Sequence, residues 1–216
     1  MIVDFNILAH QCAPNVNPIT LQALVRTESG FNPYAIGVVG GHLARQPKTS
    51  AEAIATAKAL DVQGLNFSMG LGQVNKKNLV ANGLTYESVF DACANLRAGG
   101  NILGDCYRRA SAVKGQGQSA LAAAFSCYYS GNFTRGFQPD FGGTSYVQRV
   151  VANAQVVAAN EQVPPIPVVL DQPASKKGDP EKGQVPPNSG SSGSENDSAS
   201  KKDASWDAFG DFSGHK

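Results

Sequence analysis

The chain has 216 residues, with 18 basic and 17 acidic side chains and a net charge of +1. This length suits one globular domain with some additional chain and is short for two full domains. The balanced charge excludes a chain-wide attraction to nucleic acid or to an anionic membrane. No apolar run approaches the roughly 20 residues of a membrane-spanning helix, so we expect a soluble protein without a spanning segment.

The beginning of the chain, MIVDFNILAH, makes an unconvincing export signal because Asp4 and Asn6 interrupt its apolar residues. A metal site is not indicated either. The histidines are scattered, and the cysteines lack the paired C-x-x-C spacing that is typical of zinc sites. We therefore expect neither a bound metal nor a cofactor.

The first predicted helix starts at Asn17 and Pro18, which combine a capping side chain with a residue already fixed near helical φ. It should run from residue 18 to about 28 and end at Gly30. The following segment, NPYAIGVVGGHLARQP, has the Gly, Pro and β-branched content of a loop or small hairpin.

Further helices are predicted along the rest of the domain. Thr49 and Glu52 fit a capping box at the start of one, and Asp91 can cap a longer one. The helical segments are SAEAIATAKALDVQ, ACANLRAGGNILGDCYRRA, SALAAAFSCYY and TSYVQRVVANAQVVAAN. The fold class is therefore mainly α, with at most a small sheet near residues 35–45 and 66–75.

Four cysteines suit two disulfides in an oxidising compartment, and four buried free thiols are the alternative. Cys93 and Cys106 fall on one predicted helix roughly 20 Å apart, at about 1.5 Å per residue, so they cannot bond to each other. A short connection joins the helices of Cys106 and Cys127, which favours antiparallel packing. If disulfides form, we expect Cys106–Cys127 and Cys12–Cys93.

After about residue 162 the composition changes. Residues 163–204 are rich in Pro, Gly, Ser, Lys and Asp, so they cannot bury enough apolar area to offset chain entropy. We expect a domain at 1–162 and a disordered tail at 163–216. The tail ends in SWDAFGDF, where Trp206, Phe209 and Phe212 form either a docking motif or an incidental cluster.

Glu28 is the leading candidate for chemistry. Leu21, Leu24, Val25 and Glu28 are spaced i, i+3, i+4 and i+7, so the carboxylate lies on the apolar face of its helix. Burial and the negative end of the helix dipole both raise a carboxyl pKa, which is what a general acid requires. The alternative is a glutamate that turns to solvent or pairs with a Lys or Arg.

Two more segments carry candidate binding residues. NFSMGLGQVNKKNL places Ser68 and Gln73 among glycines, which permit close approach to a ligand, although a simple Gly-rich turn is the alternative. It lacks the spacing of a phosphate loop. SCYYSGN places Tyr128 and Tyr129 at a helix end, where tyrosines are ordinarily core or rim residues but also suit sugar stacking or a hydrogen bond to a reacting centre.

In chain order, ESGFNP, SMGLGQVN, DACANLRAGGNIL, AAAFSCYYSGN and YVQRV resemble the successive motifs of the soluble lytic transglycosylases, which have a lysozyme-like α domain. The segment YAIGVVGG and the Pro-rich tail are most similar to the peptidoglycan transglycosylases of type IV secretion systems. The resemblance covers residues 1 to about 160. It implies a lysozyme-like α (α+β) domain.

The resemblance also implies residue roles. The family's catalytic glutamate falls on Glu28, and its active-site tyrosine falls on Tyr128. Its Gly-Leu-Met-Gln segment ends on Gln73, with Gly72 in place of the Met. Tyr129 replaces the family's Asn.

The implied reaction cleaves the bond between N-acetylmuramic acid and N-acetylglucosamine in peptidoglycan and gives a 1,6-anhydro product. Glu28 would act as acid and then base, and Ser29, Ser68, Gln73 and Tyr128 would bind or position the substrate. In this reading Asp91 is a helix cap and Asp140 a turn residue, so no second acid serves as nucleophile.

The implied location is the periplasm, and the implied partners are glycan strands and secretion-system subunits, the latter through the tail. Two alternatives remain at this point. One is hydrolysis of the same bond, as in goose-type lysozymes. The other is a non-catalytic assembly factor that anchors a secretion machine to the wall.

Overall fold

The computed structural model describes residues 5–161. Within them, helices and short strands follow in the order α1 (Phe5–Cys12), α2 (Pro18–Ser29), β1 (Ile36–Val38), α3 (Ser50–Val62), β2 (Phe67–Met69), β3 (Val74–Asn75), α4 (Ala92–Lys114), α5 (Gln118–Ser130) and α6 (Tyr146–Glu161). The mainly helical, lysozyme-like domain with a small sheet is confirmed. The predicted tail at 163–216, with Trp206, Phe209 and Phe212, lies outside the described residues.

The predicted helix caps form. The Asn17 side chain accepts a hydrogen bond from the backbone N–H of Ile19 at 2.9 Å, and Gly30 ends α2 in the left-handed conformation with φ of 58°. Asp91 accepts from the N–H of Ala94 at 2.8 Å at the start of α4. These local hydrogen bonds fix where the helices begin and end.

Two local features differ from the sequence-based expectation. Residues Phe5–Cys12 form helix α1, which we did not predict, and its residues Ala9 and Cys12 are buried in the core. In the capping box, Thr49 accepts from the N–H of Glu52 as expected. The Glu52 carboxylate, however, accepts from the N–H of Lys48 and pairs with Arg45 at 2.9 Å, so the reciprocal half of the box is replaced by an ion pair.

The three strands form one antiparallel sheet in the order β1-β2-β3. Gly37 pairs with Ser68, and Ser68 pairs with Asn75. The neighbouring positions on β2, Phe67 and Met69, are fully buried. Because side chains alternate between the faces of a strand, one face packs on the core and the other presents Ser68 and Asn75.

Two large hydrophobic clusters form most of the core of the described residues. One is shared by α1, α2, α4, α5 and α6 and includes Leu24, Leu96 and Phe125. The other lies between the sheet, α3 and α4 and includes Ile36 and Phe67. Helix α4 packs against α5, and α2 packs against α6. Among the described helices, none has a stretch long and apolar enough to cross a membrane.

Both expected disulfides are present. Cys12–Cys93 links α1 to the start of α4, and Cys106–Cys127 links the middle of α4 to α5. The bonded cysteines are separated by 81 and 21 residues. Loop closures of these lengths stabilise a fold by about 4.5 and about 3 kcal/mol in the chain-entropy treatment. The pairing predicted from helix geometry is confirmed.

Candidate active site

A cleft of about 960 Å³ lies between the exposed face of the sheet and helices α4 and α5. Glu28 lines it together with the sheet residues Gly37 and Ser68. Amide side chains are frequent in its wall and belong to Asn66, Gln73, Asn75, Asn78, Asn82 and Asn101. Amides both donate and accept hydrogen bonds without a net charge, so this wall suits a neutral ligand rich in hydroxyl and acetamido groups.

Glu28 reaches the cleft because of its position on α2. Leu21, Leu24 and Val25 are at most 1% exposed and anchor that helix in the core. Glu28 continues the same stripe into the last turn, where it is half-buried and lines the cleft. The apolar face predicted from the sequence therefore carries the carboxylate into the cleft and not to open solvent.

The environment of Glu28 favours its protonated form. Desolvation by burial is the largest influence and raises the pKa of Glu28 from 4.5 to about 7. The Tyr146 hydroxyl donates a hydrogen bond to Glu28 Oε1. This hydrogen bond and the positive charge of Arg149 both lower the pKa of Glu28, but by less than burial raises it. The carboxyl can therefore hold or release a proton near neutral pH.

Tyr146 was not identified as a site residue from the sequence. It is 3% exposed, and burial together with the charge of Glu28 raises its own pKa well above 10, so it remains a hydrogen-bond donor. The available indication was its place at the head of the motif YVQRV. No local pattern shows that residue 146 meets residue 28, because the contact depends on the packing of α6 against α2.

A second layer of side chains surrounds Tyr146. The Tyr129 ring stacks on the Tyr146 ring, with centroids 4.6 Å apart and an interplanar angle of 13°. The Tyr129 hydroxyl donates to Asp140 at 2.9 Å, and Asp140 forms an ion pair with Arg149 at 2.5 Å. Asp140, expected to be a turn residue, thus links Tyr129 to α6.

Tyr128 is the neighbour of Tyr129 near the C-terminal end of α5. Its hydroxyl donates to the carbonyl oxygen of Gly72 at 2.5 Å. A Cβ atom at position 72 would lie 3.0 Å from that hydroxyl, so the absence of a side chain allows the two segments to meet. Burial and the charge of Glu28 raise the pKa of Tyr128 well above 10. Tyr128 lines the cleft as a neutral phenol.

The loop between β2 and β3 is held by Asn95 of α4, which the sequence did not single out. Asn95 is 1% exposed and donates to the carbonyl oxygens of Met69 and Val89 at 3.0 and 2.7 Å. Its side-chain oxygen accepts from the N–H of Gly72 at 2.7 Å. Gly70 must be glycine here, since its φ is 77° and a Cβ would lie 2.2 Å from the Asn95 amide.

Gln73, predicted to bind substrate, lines the cleft with a left-handed backbone at φ of 48°. Its side-chain amide donates to the carbonyl oxygens of Ala35 and Gly70 at 3.1 and 2.9 Å. Both donors therefore have protein partners, and Gln73 ties the loop to Ala35, the residue before β1. Its side-chain oxygen is the group that remains for a ligand.

The two predicted serines differ in position. Ser68 lines the cleft, and its hydroxyl accepts from the Asn75 amide at 3.2 Å. The Ser29 hydroxyl donates to the carbonyl oxygen of Val25 at 3.2 Å, within its own helix. Ser29 is not among the described residues that line the cleft. Its hydroxyl oxygen retains the capacity to accept a hydrogen bond.

One other carboxylate of the described residues, Asp105, lines the cleft. It forms ion pairs with Arg108 at 2.5 Å and Arg109 at 2.8 Å. Across residues 5–161, no group of three or more His, Cys, Asp or Glu side chains could hold a metal ion. Two carboxylates of the described residues line the cleft. Asp105 forms ion pairs with arginines, whereas Glu28 forms none within the described residues and is hydrogen-bonded to Tyr146.

The helical fold with a small sheet, and a half-buried glutamate in a cleft, are those of a lysozyme-like domain. The family profile of the transglycosylase SLT domain matches residues 5–137. Because this match covers more than half of the chain, the chain belongs to the transglycosylase SLT domain family.

Individual relatives include proteins named as type IV secretion system proteins. The chain is 57% identical over 166 residues to the type IV secretion system protein virB1 of Brucella suis biovar 1 (strain 1330), covering 76% of this chain and 70% of that protein. It is 59% identical over 156 residues to the protein of the same name from Brucella abortus biovar 1 (strain 9-941), covering 72% and 66%. The protein virB1 of Agrobacterium fabrum is 32% identical over 165 residues, covering 76% and 62%.

Proposed function

We propose that this chain is a lytic transglycosylase that cleaves the β-1,4 bond between N-acetylmuramic acid and N-acetylglucosamine in peptidoglycan. The observation that carries the proposal is the environment of Glu28, which is half-buried in a large cleft. Burial raises the pKa of its carboxyl to about 7. Membership of the transglycosylase SLT family supports the assignment. The amide-lined wall fits the acetamido and hydroxyl groups of such a strand.

The first step uses Glu28 as the acid. Below its raised pKa the carboxyl is protonated, and it donates the proton to the oxygen that links the two sugars. The bond between this oxygen and C1 of the muramoyl ring breaks, and the oxygen leaves as the hydroxyl of N-acetylglucosamine. Positive charge develops on the muramoyl ring, and Glu28 is left ionised.

The second step requires a nucleophile. A retaining glycosidase places a second carboxylate about 5 Å from the acid. Asp105 is a poor candidate because Arg108 and Arg109 hold its oxygens in ion pairs. The C6 hydroxyl of the muramoyl ring attacks C1 instead, and Glu28 removes its proton. The 1,6-anhydro ring forms, Glu28 is protonated again, and no water is consumed.

The supporting roles follow the positions of the side chains. Ser68, Gln73 and Tyr128 line the cleft and bind the strand. Ser29 follows Glu28 directly in the chain, and its hydroxyl donates to Val25. Although Ser29 is not among the described residues that line the cleft, we propose that its hydroxyl oxygen accepts a hydrogen bond from a substrate that extends beyond this lining. The 2-acetamido oxygen of the muramoyl ring holds the cationic intermediate, and Tyr128 orients it.

The names of two relatives, both type IV secretion system proteins, support a proposal for the biological role. We propose that the enzyme acts in the periplasm, where it opens the peptidoglycan locally for assembly of such a system. The predicted domain spans residues 1–162. The tail at 163–216 recruits secretion subunits through the segment around Trp206, Phe209 and Phe212.

The test is mass spectrometry of the soluble fragments released from purified peptidoglycan by the wild type and by Glu28→Gln. Anhydromuropeptides from the wild type alone support the proposal. Products heavier by one water would indicate a hydrolase of the goose-lysozyme type. Absence of products from both, with secretion retained in a Glu28→Gln strain, would indicate an assembly factor. A matched control is Glu87→Gln, a surface glutamate paired with Lys58, which should release the same products as the wild type.

A further inference from the structure

We propose that Tyr129 is a flat platform on which one sugar ring of the glycan strand stacks, beside Glu28 in the cleft. This inference rests on the proposed function, because it assigns a subsite to the same strand. It separates the two adjacent tyrosines by role. Tyr128 is a hydrogen-bonding residue tied to Gly72, whereas Tyr129 offers a ring face.

The first observation is exposure within the cleft. Tyr129 is 40% exposed and lines the cleft together with Glu28 and Tyr128. An aromatic ring that is partly open to solvent has apolar area that a ligand can still bury. The C–H face of a pyranose ring is the complementary apolar surface of a sugar.

The second observation is that one face of the ring is already covered. Tyr146 stacks against Tyr129 with centroids 4.6 Å apart and nearly parallel planes, and Tyr146 is itself 3% exposed. The exposed surface of Tyr129 therefore belongs to its opposite face and its edges. Tyr146 also donates a hydrogen bond to Glu28, the proposed acid. The Tyr129 ring therefore stacks directly on the residue that bonds Glu28.

The third observation is that the ring is held in place. The Tyr129 hydroxyl donates to Asp140 at 2.9 Å, and Arg149 bonds both Asp140 at 2.5 Å and the carbonyl oxygen of Thr144 at 3.0 Å. A side chain fixed at its face and at its hydroxyl loses little conformational entropy when a ligand binds. This is the arrangement expected of a preformed subsite, not of a residue that merely covers the core.

The experiment compares the rate of fragment release against peptidoglycan concentration for the wild type, Tyr129→Leu and Tyr129→Phe. Loss of the ring in Tyr129→Leu should raise KM about tenfold and leave kcat within about twofold. Tyr129→Phe keeps the ring and should remain close to the wild type. Phe137→Leu is the matched control, because Phe137 is 46% exposed but is not among the described residues lining the cleft.

Two results would overturn the platform. The first is an unchanged KM in folded Tyr129→Leu. The second is a fall in kcat with a displaced pH profile at constant KM, which would make Tyr129 a positioning residue that acts through Tyr146. If Tyr129→Leu does not fold, NMR of the wild type with N-acetylglucosamine oligomers decides. Contacts between sugar protons and the Tyr129 ring are expected, and their absence overturns the proposal.

Failure of the proposed function gives a different result. In that case the wild type releases no fragments at all. Calorimetric titration of the wild type and Tyr129→Leu with N-acetylglucosamine oligomers then tests the platform alone. Weaker binding by Tyr129→Leu supports it, and equal binding or no binding by either protein overturns it.

Discussion

The hydroxyl of Tyr146, at the start of α6, donates a hydrogen bond to the carboxylate of Glu28 in the last turn of α2. Burial alone would keep the carboxyl neutral, whereas this bond stabilises its ionised form. Together with the charge of Arg149, which also favours the ionised form, these influences bring the pKa of Glu28 to about 7. A group that must first donate and then accept a proton works best with a pKa near the operating pH.

Replacing Tyr146 with phenylalanine should move the pH dependence of activity. In the wild type, kcat should fall about tenfold per pH unit above pH 7, as Glu28 ionises. Tyr146→Phe removes a hydrogen bond to the ionised form, so the pKa of Glu28 rises and the alkaline limb shifts to higher pH. The measurement is the rate of fragment release from pH 5 to pH 9.

Tyr86→Phe provides the control for Tyr146→Phe. Tyr86 interacts with Asp61 and is not among the described residues that line the cleft. Its profile should match that of the wild type. An alkaline limb that stays in place or moves to lower pH in Tyr146→Phe would contradict the assigned role of the hydrogen bond.

The raised pKa of Glu28 has a cost in stability. Folding raises this pKa from 4.5 to about 7, so stability is lost as the pH rises from the unfolded value through the folded one. A neutral Gln avoids this loss. Glu28→Gln should match the wild type at pH 4 and exceed it by about 3 kcal/mol at pH 8. Urea unfolding followed by circular dichroism at the two pH values measures the difference.

Glu87→Gln should change the free energy of unfolding in the opposite direction, so that this variant is slightly less stable than the wild type at pH 8. Its hydrogen bond with Lys58 lowers the pKa of Glu87 to about 2, so the ionised form adds stability that is lost as the pH falls. The pair is on the surface, and its contribution is small.

Equal unfolding free energies of Glu28→Gln and the wild type at pH 8 would exclude a buried, destabilised carboxyl at position 28.

Gly72→Ala should impair activity through Tyr128. The added Cβ lies 3.0 Å from the Tyr128 hydroxyl, which itself donates to the Gly72 carbonyl oxygen. Displacement of Tyr128 in a preorganised site should lower kcat/KM at least tenfold. Gly41→Ala is the control, since its Cβ meets nothing nearer than Val38 at 3.8 Å. Equal kcat/KM for the two variants would show that position 72 tolerates a side chain.

Asn95→Leu should destabilise the fold. It leaves the N–H of Gly72 and the carbonyl oxygens of Met69 and Val89 without their buried partner. The expected loss is about 3 to 5 kcal/mol in the free energy of unfolding. Urea unfolding measures it, and a loss below about 1 kcal/mol would mean that this loop is held by other contacts.

Residues whose role depends on local order could be predicted from the sequence. The i, i+3, i+4, i+7 spacing that ends at Glu28 identifies a carboxylate on an apolar face, and α2 has this arrangement. Helix length and a short connection were enough to choose the partners of Cys106 and Cys127. In both cases the relevant geometry lies within one helix or a pair of adjacent helices.

Residues whose role depends on distant contacts were missed. Tyr146 meets Glu28 across 118 residues, and Asn95 meets Gly72 across 23. A tyrosine at a helix start and an asparagine inside a helix are common, so their residue types carry little information. Only the packing of α6 on α2 and of α4 on the sheet loop gives them partners. The sequence around Asp140 indicates only a turn, because its contacts with Tyr129 and Arg149 also depend on packing.

The protonation state of Glu28 is measured most directly by NMR titration of its carboxyl carbon in ¹³C-labelled protein, with Glu28→Gln used to assign the resonance. The midpoint should lie near pH 7, because burial raises the pKa of this group to about 7. A midpoint near 4.5, the value of an unperturbed glutamate, would leave Glu28 ionised at neutral pH and contradict its role as the general acid.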